Sequence, residues 1–600
     1  MENVYELSRV ILEPLVVIDQ ICSGSGSGID PSSTDTTGQL ERSVSGSFRS
    51  IFDSDQRIDQ VPSLTGLRKD SCLRFEIPDE SLVRFRCMIQ DTGIGSELYR
   101  SENRDGKNLM YRENHILNGC DEYEFQEGGM RESLNERDLF YGVEVPGESD
   151  WYRSDLDESC RSTTSSSGAE LELGLESLDL NRDNCCSSYG LRNFDGSKLE
   201  STKRKFPIAG KTHLGALLKL YNSDDNSFIK TGGIVEVIGV YGWTQSWPTV
   251  DLDETIPQQP TNSDTKRPDS QTGPNPPPTT IPCIHVIFCR YPPLPRISSS
   301  LLNNDRASVR DSLINYLARN FFNCDNLSAQ YVLAALCSKI RSRSAGITVG
   351  ALPLNLIYDE DSDPEPSSLS NFLSSIIPQS STIPLTVSTL NERVLFPVSD
   401  QGSLQSGALQ LGPGTLLFID SSNMKEGQLN SIGVKNVEAL QKLIEDAKLL
   451  YSFPYSNYEF EVQLRIILVS SGSKTFLNGF WSVPVNGSLK ALKKDQEIKV
   501  PTEEELIAWR CLIQDTCTKE IVIPESLSSE IQNTFVTIRR GAMTATEADK
   551  AMSQEELGKR LELSRLIGLI DGKGEVGLED WQLACKMEKI RKVRLEIGKK

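Results

Sequence analysis

From Leu82 the chain alternates strictly. Val83, Phe85, Cys87 and Ile89 fall on one side of an extended segment, and Arg84, Arg86, Met88 and Gln90 on the other. A period of two predicts a half-buried strand, with Asp91-Thr92-Gly93 as its turn. Leu139 to Val145 predicts a second strand that stops at Pro146-Gly147-Glu148. Leu217 to Tyr221, Phe228-Ile229 and Ile234 to Tyr241 continue the series, and Gly239 inside its strand predicts a bulge or sharp bend. Short strands with Gly-marked corners predict a small antiparallel barrel of the oligonucleotide/oligosaccharide-binding (OB-like) kind over 74–243.

The second half changes rhythm. Cys283, His285, Ile287 and Cys289 alternate with Ile284, Val286 and Phe288 as one more strand, where His285 reads as a packed or hydrogen-bonded side chain. Helical spacing follows. Asp311 is positioned to cap a helix carrying Ile314, Leu317 and Phe321, and Asp325 one carrying Val332, Leu333, Leu336 and Ile340. Leu352 to Ile357 predicts a strand, Asn371 to Ile377 a helix and Thr382 to Leu390 an extended segment. Leu416 to Ile419 is a short apolar run ending in Asp420, the mark of a buried central strand. A helix over Val437–Leu450 and a strand over Leu464–Ser470 complete an α/β layer. Beyond Pro501 the pattern is helical: Ser553-Gln554-Glu555-Glu556 is a capping box before Leu557, Leu561 and Ser564, and Leu578 to Ile597 forms a last helix with a basic end.

Composition separates these pieces. Residues 1–20 suit a short amphipathic helix, and the Ser/Gly-rich 22–66 reads as flexible linker with room for a helix inside it, so 1–73 is a mostly flexible N-terminal region. The Ser- and acid-rich stretch 152–200 reads as a disordered insert in the barrel domain, and the Pro-rich 244–282 as an interdomain linker. The α/β core then spans 283–500 and a helical lid 501–600. The fold class expected is therefore a multidomain α+β and α/β chain.

A net charge of −21 argues against coating DNA or an anionic membrane through the overall field. Lys203-Arg204-Lys205 is a small basic cluster, readable as a weak nuclear import signal or as solvated surface. Fourteen cysteines without a CxxC pair, and only three histidines, provide no zinc-ligand spacing, so the thiols read as reduced and intracellular. No apolar run approaches a membrane span, and the acidic start lacks a basic leader; a soluble intracellular protein is expected.

Asp420 raises the possibility of nucleotide hydrolysis, because a Mg²⁺-holding acid sits at the end of such a strand. The parts that would act with it are missing. No GxxxxGK[ST] occurs, Asp359, Glu360, Asp361, Asp363 and Glu365 follow the strand where triphosphate would sit, and Ser421 stands where a water-activating glutamate is needed. Val469 leads into Ser470-Ser471 where a polar γ-phosphate sensor is expected. The reading is of no enzyme, no catalytic, cofactor-binding or metal-binding residue, and no cofactor or small-molecule substrate.

Several segments together resemble the eukaryotic MCM-binding protein family, which binds subunits of the minichromosome maintenance (MCM) replicative helicase. They are Leu82 to Asp91 (LVRFRCMIQD), Tyr141 to Ser149 (YGVEVPGES), Phe206 to Gly210 with Leu218 to Tyr221, and Ile281 to Val286. Gly407 to Leu411, Gly427 to Leu429, Gly433 to Val437 and Asp580-Trp581 add to them. The resemblance implies a barrel followed by a degenerate AAA-like (MCM-like) core, with Glu555 where the helicase lid carries a phosphate-sensing arginine. It also implies a nuclear protein, shuttling with the cytoplasm, that binds MCM subunits and reaches chromatin indirectly. Its expected role is assembly and stability of the MCM complex, unloading from chromatin in DNA replication, and thereby sister chromatid cohesion. The alternative is an OB-type nucleic-acid-binding replication factor using Arg84 and Arg86.

Overall fold

A computed structural model of the chain describes residues 2–24, 36–65, 73–74, 77–101, 108–112, 134–153, 193–194, 204–211, 213–221, 229–244, 281–292, 306–344, 347–359, 366–400, 403–472, 475–486, 500–541 and 552–597. Most of the insert 152–200, nearly all of 244–282 and the acidic run 360–365 lie outside them.

The six-stranded N-terminal sheet is built from β1 (Leu82–Asp91), β2 (Ser96–Arg100), β3 (Leu134–Glu144), β4 (Gly215–Leu220), β5 (Ile234–Thr244) and β6 (Ile281–Arg290). Hydrogen bonding runs β1-β5-β6-β4-β3 and returns from β3 to β1, which closes a five-stranded barrel with β2 added beside β3. All contacts are antiparallel except β4 with β6. Gly239 lies at a register shift between β5 and β6, where an added Cβ would run into the His285 carbonyl oxygen.

Two expectations are corrected here. The strand at 283 does not open the second domain: Ile281–Arg290 is a barrel stave between β4 and β5. Thr244 pairs with Ile281, so the Pro-rich stretch joins neighbouring staves and not two domains. Nor is the N-terminal region merely flexible. Helices α1 (Glu2–Leu12), α2 (Pro14–Gly24) and α3 (Thr36–Ile51) cover one flank of the barrel. Ile18, Val44, Phe48 and Phe52 are buried against Ile238, Val240, Ile287 and Phe288. Each such side chain contributes roughly 1.5–3 kcal/mol by leaving water. With that flank covered and the far end of β1 packed on Glu148, Leu404 and Gln410, all ten residues of β1 are buried instead of every second one.

The second half opens with α4 (Arg306–Phe321) and α5 (Asn326–Cys337). Asp325 caps α5 as expected, accepting from Leu327 N at 3.1 Å, whereas Asp311 lies inside α4 and caps nothing. Five parallel strands follow: β7 (Leu354–Tyr358), β8 (Ser380–Pro384), β9 (Leu416–Asp420), β10 (Arg465–Ser471) and β11 (Trp481–Pro484). Their spatial order is β8-β9-β10-β7-β11. Alternate residues of β9 feed opposite layers. Leu416 and Phe418 pack under α5 and the C-terminal helices, Leu417 and Ile419 under α6 (Ser431–Glu445). The segment expected to be extended to Leu390 turns helical at Val387, and the helix expected to reach Leu450 stops at Glu445 and gives way to a hairpin, Lys448–Phe453 with Ser456–Glu461, whose second strand is exposed.

Among the described residues the chain closes with the helices α7 (Glu503–Thr518), α8 (Glu525–Gly541), α9 (Gln554–Ile570) and α10 (Leu578–Ile597). Thr502 and Glu505 form a reciprocal capping box on α7, and Ser553 caps α9 by accepting from Glu556 N at 3.2 Å. Arg594 of α10 donates to Asp325 at 2.9 Å and to the Pro484 carbonyl at 3.2 Å, which ties the last helix to the sheet and to the cap of α5.

Candidate functional site

The carboxyl ends of a parallel sheet are where ligands bind in open α/β layers, at the point where strand order reverses. Here β7 lies between β10 and β11, so Tyr358, Asp420 and Ser470 share that edge. Asp420 does not face an open bay. Its Oδ1 accepts from Ser422 Oγ at 2.6 Å and from Ser422 N at 3.0 Å. Ser421 Oγ donates to the Val469 carbonyl at 2.8 Å, and Ser470 Oγ to Asn355 Oδ1 at 2.9 Å within the sheet. A cavity of about 330 Å³ opens beside them, lined by Ser421, Ser422, Ser471 and Thr475 with Lys425 and Glu426. Asp420, Ser421 and Ser470 thus share the strand ends, but each is engaged by a different partner: Ser422, the Val469 carbonyl and Asn355.

A second assembly was not legible from spacing: the seam between barrel and α/β layer. The last residues of β1 form one half. Lys205 Nζ lies 2.8 Å from Asp91 Oδ2, with both side chains buried. Asp91 also accepts from Leu404 N at 3.3 Å, while Gln90 donates to the Leu404 carbonyl at 3.0 Å and accepts from Gln410 Nε2, through its carbonyl, at 2.9 Å. The turn after β3 forms the other half. Ser149 N donates to the Pro378 carbonyl at 2.9 Å, and Ser380 N to the Gly147 carbonyl at 2.8 Å. Gly147 has φ +72° and lies against the Ser380 carbonyl, so a Cβ fits neither the backbone nor the space. Arg510 of α7 stacks over Trp151 at 4.3 Å.

The basic residues singled out from sequence are largely consumed by this packing. Within the basic cluster Lys205 is fully buried and Arg204 is exposed, while Lys203 lies outside the described residues. Arg84 is buried near Asp59 (3.6 Å) and Glu236 (3.4 Å) and donates to the Val61 carbonyl. Arg86 is buried 2.7 Å from Glu148 and stacks on Tyr152. The face expected to be exposed is therefore an interior one, and neither arginine is available to a phosphate backbone. His285 is buried, with Tyr221 Oη 2.7 Å from Nδ1 and Arg137 beyond it. Among the described residues no cluster of three or more metal-ligating side chains occurs, and no helix is long and apolar enough to cross a membrane.

Fold and seam define a class: a closed five-stranded barrel locked by buried polar contacts onto a parallel α/β layer that carries C-terminal helices. Within it, the chain belongs to the mini-chromosome maintenance replisome factor family, whose sequence model matches residues 48–175 and 181–595. Relatives similar to it include the mini-chromosome maintenance complex-binding proteins of Arabidopsis thaliana, Danio rerio and Drosophila melanogaster. The first is 28% identical over 95% of this chain and 96% of its own length. The second is 25% identical over 98% of each. The third is 25% identical over 87% of this chain and 91% of its own length. Most of the two segments most specific to the resemblance, 82–91 and 141–149, lies in the described staves and turn that build the seam.

Proposed function

We propose that this chain is a non-catalytic binding factor for subunits of the MCM helicase, supporting assembly and stability of that complex and its unloading from chromatin during DNA replication, and through unloading sister chromatid cohesion. The observation that carries the non-catalytic half is Asp420 closed off by Ser422, with Ser421 turned to the neighbouring strand. A sheet whose strands, numbered along the core, lie in the order 5-1-4-3-2 supports an AAA-like ancestry for the layer. A closed five-stranded barrel ahead of it supports the OB-like reading. The binding half rests on the relatives, which are named for binding the MCM complex.

Mimicry is the mechanism. A protein shaped like a helicase subunit, yet unable to complete an ATP site, competes by mass action for a subunit–subunit interface. It works in the nucleus and meets chromatin through its partners. The test is capture of each purified MCM subunit by the full chain, with and without ATP. Nucleotide-independent capture of several subunits is expected; capture of none, under either condition, overturns the proposal. Salt-sensitive binding to single-stranded DNA would instead favour the barrel as a nucleic-acid module.

A further inference from the structure

Away from the crevice at Asp420, a cleft of about 490 Å³ opens at the opposite, amino ends of the parallel strands. Its wall includes Tyr152 from the barrel side, Lys339, Gly414, Arg465, and Gln514 and Cys517 of α7. Cys517 stands in the last turn of α7 and Cys337 ends α5. The Cys517 thiol donates to the carbonyl oxygen of Leu336, the residue before Cys337, at 3.9 Å, which places the two cysteines next to each other. Arg465, at the start of β10, donates through Nη2 to the Cys517 sulfur at 3.2 Å and is itself held by the Gly414 carbonyl at 3.1 Å. Cys337 is only 2% exposed, so the two sulfurs differ in access: one lines the cleft and the other sits behind it.

We propose that Cys517 and Cys337 form a peroxide-reactive thiol pair, a modification site whose product is a disulfide joining α7 to α5. The neighbouring Cys337 thiol and the cations Arg465 and Lys339 outweigh burial and bring the Cys517 thiol down to about 6, while the Cys337 thiol is pushed up. Cys517 is thus the thiolate at neutral pH, the form that attacks. Its sulfur displaces hydroxide from hydrogen peroxide, forming a sulfenic acid; the peroxide supplies the oxygen and is the oxidant. The Cys337 sulfur, losing its proton, then attacks the sulfenic sulfur. An S–S bond forms, the S–O bond breaks, and the oxygen leaves as water. Each disulfide consumes one peroxide, and the fold already brings the two positions together across a long stretch of chain.

The test treats the full chain with hydrogen peroxide at neutral pH, alkylates the remaining thiols and maps peptides without reductant. A cross-linked peptide joining Cys337 to Cys517 is expected as the main product. The exposed Cys324 serves as the internal reference. In Cys337→Ser a dione that traps sulfenic acids should label Cys517, and Arg465→Gln should slow that labelling about tenfold, with Arg465→Lys less affected. Circular dichroism identifies the variants that keep the fold. Recovery of both cysteines as free thiols after peroxide, or dione labelling of Cys324 ahead of Cys517, overturns the proposal.

Discussion

Lys205 closes on Asp91, its ammonium 2.8 Å from a carboxylate that has left water with it. The pair joins the segment before β4 to the end of β1, and the same carboxylate reaches Leu404 of the α/β layer. Removing the ammonium alone leaves a buried charge without its counterion, which costs about 3–5 kcal/mol. Lys205→Met should therefore lower the urea midpoint sharply, and Lys205→Met with Asp91→Asn should recover more than half of the loss. Equal midpoints for the single and double variants would show that the charge pairing is not the cause.

Gly147→Ala tests the other half of the seam. A methyl there meets the Ser380 carbonyl and forces a side chain into positive φ, so a loss of about 2 kcal/mol or more is expected. The seam should loosen before either part unfolds. Hydrogen exchange would show this as faster exchange at Ser149 N and Ser380 N, both protected by the seam, while the barrel interior stays slow.

Asp325 gives a pH signature. Burial pushes its carboxyl up, but hydrogen bonds from Arg594, Ser328 and Asn486 outweigh that and hold it below the ordinary aspartate value. A carboxylate depressed in the folded state contributes stability above its unfolded pKa of ~3.9 and loses it as pH falls through the folded value. Asp325→Asn keeps a capping side chain yet gives up the ion pair with Arg594. It should cost about 2 kcal/mol at neutral pH, and the difference from the parent should shrink in denaturant titrations below pH ~4. A gap that stays constant in acid would reject the assignment.

Asp420→Asn separates a structural acid from a metal-holding one. Its partners are Ser422 Oγ and N, so the loss should stay near ~1 kcal/mol, and MCM-subunit capture should be unchanged with or without ATP. A thermal shift on adding Mg-ATP to the parent, absent in the variant, would contradict that.

Apolar runs and caps transmitted the layer well: Leu416 to Ile419 as a buried strand, Asp325 as a cap and Leu578 to Ile597 as a helix are where the pattern places them. What failed was context. Alternation along Leu82–Asp91 says that Arg84 and Arg86 point away from the inner apolar face, but not that Asp59, Glu236 and Glu148 wait there in place of water. In 22–66 the Ser/Gly content left a helix only as an option without bounds; the stripe Leu40, Val44 and Phe48 at intervals of four is the signal that places it at 36–51.

The Pro-rich gap misled for a different reason. Pro-rich composition marks a connection, and it is silent on whether that connection parts two domains or two adjacent staves. Pairing between β4 and β6 decides this, and such pairing depends on residues far apart in sequence. The seam was hidden likewise, since Gln90, Gln410, Gly147 and Ser380 follow no local period and meet only after both parts have formed.

Because Thr244 faces Ile281 across the β5–β6 ladder, whatever lies between them leaves the barrel and re-enters it at one place. The entropy of closing such a loop grows only with the logarithm of its length, about 0.6 kcal/mol per doubling. Evolution can lengthen or shorten this excursion with little consequence for the staves. An experimenter can do the same: a fluorescent reporter or purification handle spliced between 245 and 280 would ride on the barrel while leaving both termini native.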